Sequence, residues 1–506
     1  MISLQPATFE EFTREAGRGN VVPVVRTVLA DLQTPVGAFM RVAGDARYAC
    51  LLESVEGGER VARYSFLGAH PEMVVRGRGE TTFIERGEER ETLRGVRAND
   101  FLRDYFRERR LARRAGLAPM AGGAVGYLAY DAVRWFEPIL EAHAATPEGM
   151  DEAVFMLFRT VLAFDRVRQQ IEITSVVLTD EAGGSAPRLA ELYEAAVAET
   201  ERIEKILLTG ELPRGDAEGA GSARDEQAAT QFVANWTQRQ FEDAVVAVKE
   251  EIAAGNCYQV VLSQRFRSKV GADPLNIYRA LRATNPSPYM YFLRMGDETV
   301  VGASPEMLVR CRGQRLDYRP IAGTRRRGAT ETEDWMLGEE MRADEKEVAE
   351  HTMLVDLGRN DLGRVADYGS VEVDELMGIE RYSHVQHLVT HLRARLRERF
   401  DRFDALAACF PAGTVTGAPK VRAMQIIRGL EPDARGIYAG AVLYIDYADN
   451  LDSCIAIRTI VLRGGEASVQ AGAGIVADSV PEREYEETVN KARALLRAIE
   501  MAERGL

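Results

Sequence analysis

The sequence predicts an α+β fold in which large, mostly antiparallel β-sheets are flanked by helices. Short segments of alternating apolar and polar residues, separated by glycine-containing turns, fill the stretch from about residue 35 to residue 175. This pattern is typical of antiparallel strands. The second half mixes strands with long helices and lacks the regular strand–helix–strand alternation of a doubly wound parallel sheet, so an α+β arrangement is favoured.

Residues 1–208 form the first predicted region, and strands dominate it. A strand that begins after a glycine pair is predicted in AGGAVGYLAYD, a hairpin in VFMLFRTVLAFD and QQIEITSVV, and a helix at residues 189–208. The other strands are predicted in ARYACLLESV, ARYSFLGA, MVVRGRG and TTFIERG.

Residues 209–232 are the predicted linker, because they are rich in glycine, alanine and charge and poor in large apolar residues. The 506 residues suffice for two domains, or for one large domain with an additional lobe. Residues 233–506 form the second region, whose first helix is predicted at residues 238–254 from the apolar face Phe241, Val245, Val248 and Ile252. Further helices are predicted at residues 333–357, 403–409, 420–430 and 482–502.

The composition predicts the class of protein. The net charge of −14 disfavours binding of nucleic acid over the whole surface. The five cysteines lie far apart without zinc or redox spacing, which indicates a reducing compartment. The N-terminus does not resemble a signal peptide, and no apolar stretch is long enough to cross a membrane. We therefore expect a cytoplasmic enzyme that binds neither nucleic acid nor a membrane.

Two acidic helical segments could hold a hard cation. Glu347 and Glu350 share a helix face, and Glu484, Glu487 and Lys491 are spaced at i, i+3 and i+7 in a second helix. Such carboxylates suit magnesium, which takes few protein ligands and completes its shell with water or substrate oxygens. From spacing alone, ordinary surface ion pairing is favoured over a metal site, and each such pair contributes only about 0.2–0.5 kcal/mol.

Two glycine-rich segments could bring backbone N–H groups close to an anion. They are QAGAGI at residues 470–475 and FPAGTVTGAPK at residues 410–420. The first lacks the spacing and the strand–turn–helix setting of a dinucleotide site, and the second lacks the GxxxxGK pattern of a phosphate loop. Tight turns are the alternative for both segments.

Three histidines, His384, His387 and His391, lie close together in sequence. In a helix they would share a face and suggest a metal site, but VQHLVTHL alternates like a strand, which places His387 and His391 on one face and His384 elsewhere. A single histidine beside a site, His387, is favoured over a zinc centre. The sequence has no GxSxG motif and no convincing Cys–His pair, so it offers no candidate for covalent catalysis.

Ten motifs follow one another through the second region: GNCYQVVLSQRF, GASPEMLV, PIAGTRRRG, DEKEVAEHTMLVDLGRNDLGRV, VQHLV, FPAGTVTGAPK, GIYAGAV, SCIAIRT, QAGAGIV and PEREYEETVNKA. Together they resemble the chorismate-utilising enzymes, and the resemblance runs from about residue 240 to residue 495. The upstream segments LLES, RYSFLG and GGAVGYLAYD are similar to the N-terminal part of anthranilate synthase large subunits. The resemblance implies a β-sandwich core flanked by helices, and a lyase that makes anthranilate for tryptophan biosynthesis.

The resemblance implies roles for three residues in the chemistry. Chorismate is a dianion; ammonia adds to its ring at carbon 2, the hydroxyl leaves carbon 4, and pyruvate is then eliminated. Glu306 is implied to be the acid that protonates the leaving hydroxyl, and His387 is implied to assist from nearby. Gln259 stands where isochorismate and salicylate synthases have a lysine that activates water. Because glutamine is no base at neutral pH, a water-adding reaction is disfavoured.

Ala322 separates two further branches of the family. Aminodeoxychorismate synthases typically carry PIKGT, whose lysine is a nucleophile, whereas this chain has PIAGT. Ammonia is then left as the attacking species and anthranilate as the product. Some aminodeoxychorismate synthases lack that lysine, so the large subunit of such an enzyme is the alternative.

The resemblance also implies a substrate pocket and a magnesium ion. Glu350 and Glu487 would bind the metal, which would orient the ring carboxylate and stabilise its charge. Arg458 and Tyr438 would hold the pyruvyl carboxylate. The remaining lining residues are implied to be Gly323, Thr324, Thr414, Gly472, Gly474 and Lys491.

A second site follows from LLES and NPSPYM, which resemble the tryptophan feedback site of anthranilate synthases. An apolar slot would take the indole, and polar groups would take the charges of the amino acid. The implied residues are Glu53, Ser54, Asn285, Pro286, Ser287, Tyr289, Met290 and Cys454. The alternative for LLES is a plain sheet strand. Since no glutamine amidotransferase motif is found, the resemblance implies a separate amidotransferase subunit that supplies ammonia in a heterodimer or heterotetramer.

Overall fold

The computed structural model describes residues 3–55, 63–143, 150–211, 231–382 and 385–505. Residues 212–230, which make up most of the predicted linker, lie outside this part of the chain, and so does His384.

The regular structure of the described residues comprises strands β1–β25 and helices α1–α11, numbered in chain order. The strands are β1 (Ser3–Gln5), β2 (Val21–Leu29), β3 (Tyr48–Glu53), β4 (Tyr64–Ala69), β5 (Met73–Arg78), β6 (Thr81–Arg86), β7 (Glu89–Arg94), β8 (Gly123–Leu128), β9 (Ala153–Phe158), β10 (Thr160–Asp165), β11 (Gln170–Leu178), β12 (Val233–Ala234), β13 (Gln259–Lys269), β14 (Tyr289–Met295), β15 (Glu298–Ser304), β16 (Met307–Arg312), β17 (Arg315–Tyr318), β18 (Ile321–Arg326), β19 (Glu372–Arg381), β20 (Val385–Arg395), β21 (Gly417–Ala418), β22 (Ala441–Asp446), β23 (Asn450–Ile455), β24 (Thr459–Arg463) and β25 (Glu466–Ile475). The helices are α1 (Phe9–Ala16), α2 (Pro35–Ala43), α3 (Ala98–Arg107), α4 (Ala186–Thr209), α5 (Gln238–Ala253), α6 (Pro274–Thr284), α7 (Glu331–Ala343), α8 (Glu345–Gly363), α9 (Arg402–Cys409), α10 (Lys420–Leu430) and α11 (Pro481–Glu503).

The strands form two large antiparallel sheets. The first sheet has the order β1-β2-β11-β10-β4-β3-β14-β15-β24-β25-β13-β12, with β21 also paired to β13. The second has the order β18-β20-β17-β16-β23-β22-β8-β9-β5-β6-β7, with β19 also paired to β20. Strands of both predicted regions are neighbours in each sheet, since β3 pairs with β14 and β8 pairs with β22. The regions 1–208 and 233–506 are therefore interleaved, and the linker at 209–232 stays a prediction.

The two sheets pack face to face, and helices cover their outer faces. Apolar side chains of both sheets meet in one core, to which Phe66, Val161 and Tyr291 of the first sheet and Val125, Met156 and Tyr444 of the second belong. Helices α2, α4, α6 and α11 pack on the outer face of the first sheet, and α3, α8 and α9 pack on the second. The predicted α+β fold with a sandwich core is confirmed.

The helix predicted at residues 333–357 is wrong in one respect, because two helices, α7 and α8, occupy this segment. The break lies at Asp344, whose backbone is extended (φ −73°, ψ 111°). Its carboxylate accepts hydrogen bonds from the backbone N–H groups of Lys346 and Glu347. A side chain that caps a new helix in this way ends the previous one. Glu347 and Glu350 therefore lie in the first turns of a separate helix.

The other predicted helices, at residues 189–208, 238–254, 403–409, 420–430 and 482–502, match α4, α5, α9, α10 and α11 to within a few residues. The hairpin is formed by β10 and β11. The segment VFMLFRTVLAFD is nevertheless interrupted at Arg159, so that β9 lies in the second sheet and β10 in the first. This segment is one of the places where the chain crosses from one sheet to the other.

Two further features bear on the class of protein. All five cysteines are buried and free, in agreement with the expected absence of a disulfide framework. Among the helices of the described residues, none combines the length and the apolar character needed to cross a bilayer.

Candidate active site

A cavity of about 240 Å³, the small cavity, lies between the C-terminal end of α6, the start of β20 and the face of α11. Four residues predicted for the substrate pocket line it, namely Thr324, His387, Arg458 and Lys491. Segments distant in sequence supply them, so the cavity exists only in the completed fold. The structure thus brings together the centre of the predicted site.

Glu306 lies in the short connection between β15 and β16, next to Pro305, which lines the small cavity. Its backbone is held on both sides, since its N–H donates to Oγ of Ser304 (3.3 Å) and its carbonyl accepts from the N–H of Ile455 (3.0 Å). Burial raises the pKa of Glu306, while a hydrogen bond from Thr414 and the charges of Arg458 and Lys491 act in the opposite direction. A carboxyl group with a raised pKa retains its proton to higher pH and is suited to be a general acid.

Thr414 lies in the turn between α9 and α10 and donates a hydrogen bond of 2.9 Å from Oγ1 to Oε2 of Glu306. The turn packs tightly against α8, because a methyl group at Gly413 would collide with the side chain of Leu357. The glycine-rich FPAGTVTGAPK segment therefore forms a close-packed turn, and it delivers one hydroxyl group to the acid.

His387 is oriented by an irregularity in the neighbouring strand. The register of β18 and β20 shifts between Ala322 and Arg325, so that Gly323 and Thr324 bulge opposite His387. Nδ1 of His387 lies 2.8 Å from the carbonyl oxygen of Gly323 and 3.1 Å from Oγ1 of Thr324. Because a carbonyl oxygen only accepts, Nδ1 carries the hydrogen, and Nε2 is left as an acceptor when the ring is neutral. Burial lowers the pKa of His387 and so favours this neutral form.

Tyr382 is a site residue that the sequence analysis missed. It lines the small cavity, and its ring meets the ring of His387 edge-on at a centroid distance of 5.6 Å. Its hydroxyl donates to Glu380 at 3.0 Å. A single tyrosine just before a strand gives no sequence signal for such a role. Asn490 also lines the cavity, and its position next to Lys491 could have indicated it.

Arg458 and Tyr438 both lie near Glu306, Arg458 as a charged donor and Tyr438 as a neutral one. Burial lowers the pKa of Arg458, which the charge of Glu306 partly offsets. Within the described residues, the guanidinium group of Arg458 has no hydrogen-bond partner, so its donors are available to a ligand. Burial raises the pKa of Tyr438, which keeps its hydroxyl protonated. Tyr438 borders a separate cavity of about 460 Å³ instead of the small one.

The backbone N–H groups of Gly472 and Gly474 do not bond to the neighbouring strand β13. Gly472 lies opposite Ser263, whose N–H group donates to Glu431, and Gly474 lies opposite Val261, whose N–H group donates to the Thr416 carbonyl oxygen. In an antiparallel ladder such pairs point their N–H groups to the opposite side, and on that side β24 ends its pairing at Val469. These N–H groups therefore face an open edge. A side chain at either glycine would press on a site residue, Tyr438 at position 472 and Gln259 at position 474.

The predicted metal ligands lie on the facing helices α8 and α11. Lys491 donates to the Gly472 carbonyl oxygen (3.1 Å) and forms an ion pair with Glu487 (2.7 Å). Burial raises the pKa of Glu350, and the charges of Glu347 and Glu487 raise it further. Among the described residues, no group of three or more His, Cys, Asp or Glu side chains is arranged to hold a metal ion. A set of two carboxylates fits magnesium, which obtains its other ligands from water and substrate.

The residues predicted for tryptophan are divided between two cavities. Glu53, Ser54, Tyr289, Met290 and Cys454 line a cavity of about 940 Å³, the large cavity, between the two sheets. Asn285, Pro286 and Ser287 line the small cavity instead, and Pro288 lines both. The NPSPYM segment is thus a shared wall between the two cavities.

Glu53 is one of several charged residues in the wall of the large cavity. It is buried and accepts hydrogen bonds from the hydroxyl of Tyr278 (2.6 Å) and from Nε of Arg282 (2.9 Å), both on α6. Arg166 approaches the same carboxylate at 3.5 Å. Since α6 ends where the NPSPYM segment begins, Glu53 connects the large cavity to the start of that shared wall.

Comparison with known proteins finds matches over nearly the whole chain. The sequence profile of the chorismate binding enzyme family matches residues 47–497. Anthranilate synthase component 1 of Acetivibrio thermocellus is 45% identical, with 98% of each chain covered, and that of Aquifex aeolicus is 44% identical, also with 98% of each chain covered. Among solved structures, anthranilate synthase component I from Streptococcus pneumoniae TIGR4 superposes with a TM-score of 0.74 at 34% identity, over 93% of this chain and 99% of that one.

Proposed function

Because the chain belongs to the chorismate binding enzyme family and is thus an enzyme of the chorismate-utilising group, we propose that it converts chorismate and ammonia into anthranilate and pyruvate. The observation that carries this proposal is the buried carboxyl group of Glu306 beside a cavity that also contains a neutral histidine and an unpaired guanidinium group. Relatives named anthranilate synthase component 1 cover the chain almost completely, and they support the same activity.

Glu306 protonates the hydroxyl group that leaves carbon 4 of the ring. The hydrogen bond from Thr414 to Oε2 holds one carboxyl oxygen in place, so the acidic proton resides on Oε1. A positioned general acid of this kind contributes about 10²–10⁴-fold to a rate. Nε2 of His387, which has no hydrogen-bond partner in the part of the chain that the structure describes, accepts a hydrogen bond from the same hydroxyl and orients it for departure.

The anionic groups of chorismate bind to the donors around the small cavity. Arg458 presents a guanidinium fork to the pyruvyl carboxylate, a geometry that suits two parallel hydrogen bonds. The hydroxyl of Tyr438, which borders the separate cavity of about 460 Å³, and the N–H groups of Gly472 and Gly474 add neutral donors from outside the small cavity. Binding of two carboxylates at fixed points orients the ring, so that carbon 4 faces Glu306 and carbon 2 is left open to ammonia.

Glu350 and Glu487 are the residues that would hold Mg²⁺ against the ring carboxylate. Bound there, Mg²⁺ supplies charge neutralisation and orientation of that carboxylate. Burial is the main cause of the raised pKa of Glu350, and the repulsion from Glu347 and Glu487 that adds to it would be relieved by a bound cation. Lys491 remains beside Glu487 and contributes a second positive charge.

Ammonia reaches the enzyme from a separate glutamine amidotransferase subunit. The relatives are named as component 1 of their enzyme, which supports a partner component for this chain. Gln259 and Ala322 leave no side-chain amine as an alternative nucleophile at the two positions where other branches carry lysine. Ammonia is thus the attacking species.

L-Tryptophan inhibits by binding in the large cavity. Tyr289, Met290 and Cys454 supply apolar surface, and Glu53 and Ser54 supply polar groups at one end. The NPSPYM segment supports a coupling between the sites, because it borders both cavities. Occupation of the large cavity that displaces this wall would weaken chorismate binding, and chorismate would weaken tryptophan binding by the same factor.

The proposed function is tested by fluorescence of the purified protein with chorismate, Mg²⁺ and ammonium at mildly alkaline pH. We expect anthranilate emission to grow, to stop on addition of a chelator, and to be suppressed by tryptophan. Loss of chorismate without anthranilate, at a rate that depends on ammonium, would replace the proposal by an aminodeoxychorismate synthase. Absence of chorismate loss, with ammonium and also with a glutamine amidotransferase subunit present, would contradict both functions.

A further inference from the structure

A buried ion pair lies beneath the active site and is not part of the chemistry described above. Arg435 and Glu431 have side chains that are only 1% and 4% exposed. Nε and Nη2 of Arg435 donate to the two oxygens of Glu431 at 2.9 and 2.6 Å. A buried charge pair costs desolvation free energy, and it is tolerated only where further hydrogen bonds complete its shell.

The remaining donors of Arg435 complete that shell at two backbone carbonyls. Nη1 donates to the carbonyl oxygen of Val415 and Nη2 to that of Val261, each at 2.7 Å. Val415 follows Thr414 directly in the turn between α9 and α10. Arg435 thus connects the turn that delivers Thr414 with the strand β13 beneath it.

The same guanidinium group also holds a second site residue. It stacks on the ring of Tyr438 at 5.6 Å from the centroid. On the opposite side of the pair, Glu431 accepts hydrogen bonds from the N–H (2.9 Å) and the hydroxyl (2.8 Å) of Ser263, the residue paired with Gly472. The pair therefore contacts three supports of the site: the Thr414 turn, Tyr438 and the β13–β25 edge.

We propose that Arg435 is a positioning residue of the reaction: by binding the Val415 carbonyl and the face of Tyr438, it holds Thr414 and Tyr438 around Glu306. Arg435 is 3% exposed and separated from the substrate by these residues, so it acts through them. The role rests on the proposed function, in which Glu306 is the general acid.

The proposal has a consequence that a merely structural role lacks. If the Thr414 turn shifts, the hydrogen bond to Glu306 is lost, and this bond favours the ionised carboxylate. Its loss raises the proton affinity of Glu306. The alkaline limb of the pH dependence of kcat, where the acid loses its proton, then moves to higher pH.

The test is the pH profile of kcat for anthranilate formation with Arg435→Lys, which keeps the charge but loses the fork. The control is Arg402→Lys. Arg402 is also buried (6% exposed), donates to the backbone carbonyl of Asp446 and stacks on two phenylalanine rings. Its contacts among the described residues include no residue of the site. We expect Arg435→Lys to lower kcat at least tenfold and to shift the alkaline limb of the kcat profile to higher pH by on the order of one unit. Arg402→Lys is expected to leave the pH of the alkaline limb unchanged, even if the variant protein is less stable.

Thr414→Val removes the hydrogen bond from Thr414 to Glu306 directly. We expect it to shift the alkaline limb of kcat to higher pH by a similar amount. The double variant Arg435→Lys/Thr414→Val is expected to show no further shift, because both changes remove one interaction. If Arg435→Lys does not fold, Glu431→Gln, which keeps the guanidinium group but loosens it, is measured in the same way. If the variant that folds shows its alkaline limb at the same pH as the unsubstituted enzyme, Arg435 does not have the proposed role. Failure of the unsubstituted enzyme to make anthranilate would instead overturn the proposed function, and with it this role.

Discussion

The hydroxyl of Thr414 lies 2.9 Å from Oε2 of Glu306 and is the side-chain donor to that carboxyl group among the described residues. The bond joins a turn packed on α8 to the end of β15, so that two separate parts of the fold determine where the carboxyl group lies. Burial favours the protonated acid and the hydrogen bond favours the carboxylate. The balance between burial and the hydrogen bond determines the pH range in which Glu306 keeps its proton.

Glu306→Gln is expected to reduce anthranilate formation by about 10²–10⁴-fold or more, because glutamine cannot release a proton to the leaving hydroxyl. Tryptophan binding, measured by calorimetry, should stay unchanged, since Glu306 is not among the residues that line the large cavity. The control is Glu298→Gln at the other end of β15, where burial also raises the pKa of a carboxyl group whose hydrogen bond, within the described ranges, comes from Tyr127. Retained turnover in Glu306→Gln would show that the acid lies elsewhere.

The same substitution is expected to stabilise the ligand-free protein at neutral pH. The pKa of Glu306 is raised in the folded state above its ordinary value of 4.5, so ionisation weakens the fold as the pH rises through the folded-state pKa. Below 4.5 the group is protonated in both states, and the difference vanishes. Thermal unfolding of Glu306→Gln and the unsubstituted protein should therefore diverge with increasing pH. A constant difference in melting temperature across this range would contradict the assignment of the shift to Glu306.

Glu350→Gln and Glu487→Gln are each expected to raise the Mg²⁺ concentration required for half-maximal activity by at least about tenfold. The reason is the loss of one of only two anionic ligands. Glu482→Gln, on the exposed face of the first turn of the same helix as Glu487, is the matched control. Direct titration with Mg²⁺ in the absence of substrate distinguishes weaker metal binding from slower chemistry. An unchanged Mg²⁺ dependence in both variants would exclude this pair as the metal site.

Ser54→Ala is expected to weaken inhibition by tryptophan about 3–10-fold while kcat with ammonium stays unchanged, because one neutral hydrogen bond contributes about 0.5–1.5 kcal/mol. Ser54 lines the large cavity and does not line the small one. Ser65→Ala is the control for a general loss of stability, since Ser65 is also buried but does not line that cavity. Equal inhibition constants for Ser54→Ala and the unsubstituted enzyme would place the tryptophan site elsewhere.

Local patterns predicted the elements well where one face is apolar or where side chains alternate. The alternation of VQHLVTHL correctly placed His387 on a strand, β20, and the apolar face of residues 238–254 correctly predicted α5. The break at Asp344 was missed although a signal existed, since an aspartate followed by glutamate three residues later is a capping pattern. Strand β19 was missed because half of its side chains are charged and most are exposed, so the usual apolar face is lacking.

From the sequence, only those residues of the candidate site that lie within the family motifs could be predicted. Motif resemblance pointed to Glu306, Thr414 and Arg458, and the structure places them as neighbours. It could not reveal the support from Arg435 and Glu431, because two opposite charges four residues apart look the same in sequence whether they are exposed or buried. It also could not separate Asn285 from Met290, which border different cavities, since a cavity wall is a property of packing and not of one segment.

The interleaving of strands in both sheets has a consequence for the order of folding. Glu53 of β3 pairs with Met290, and Leu128 of β8 pairs with Ala441, so neither sheet can close until most of the chain has left the ribosome. Contacts between residues so far apart in sequence carry a large loop-closure entropy and form late. An N-terminal fragment that ends at residue 208 would expose the unpaired edges of β3 and β8, and such edges aggregate. The large and small cavities therefore form in one late step, so that a nascent chain acquires both proposed ligand sites at the same moment.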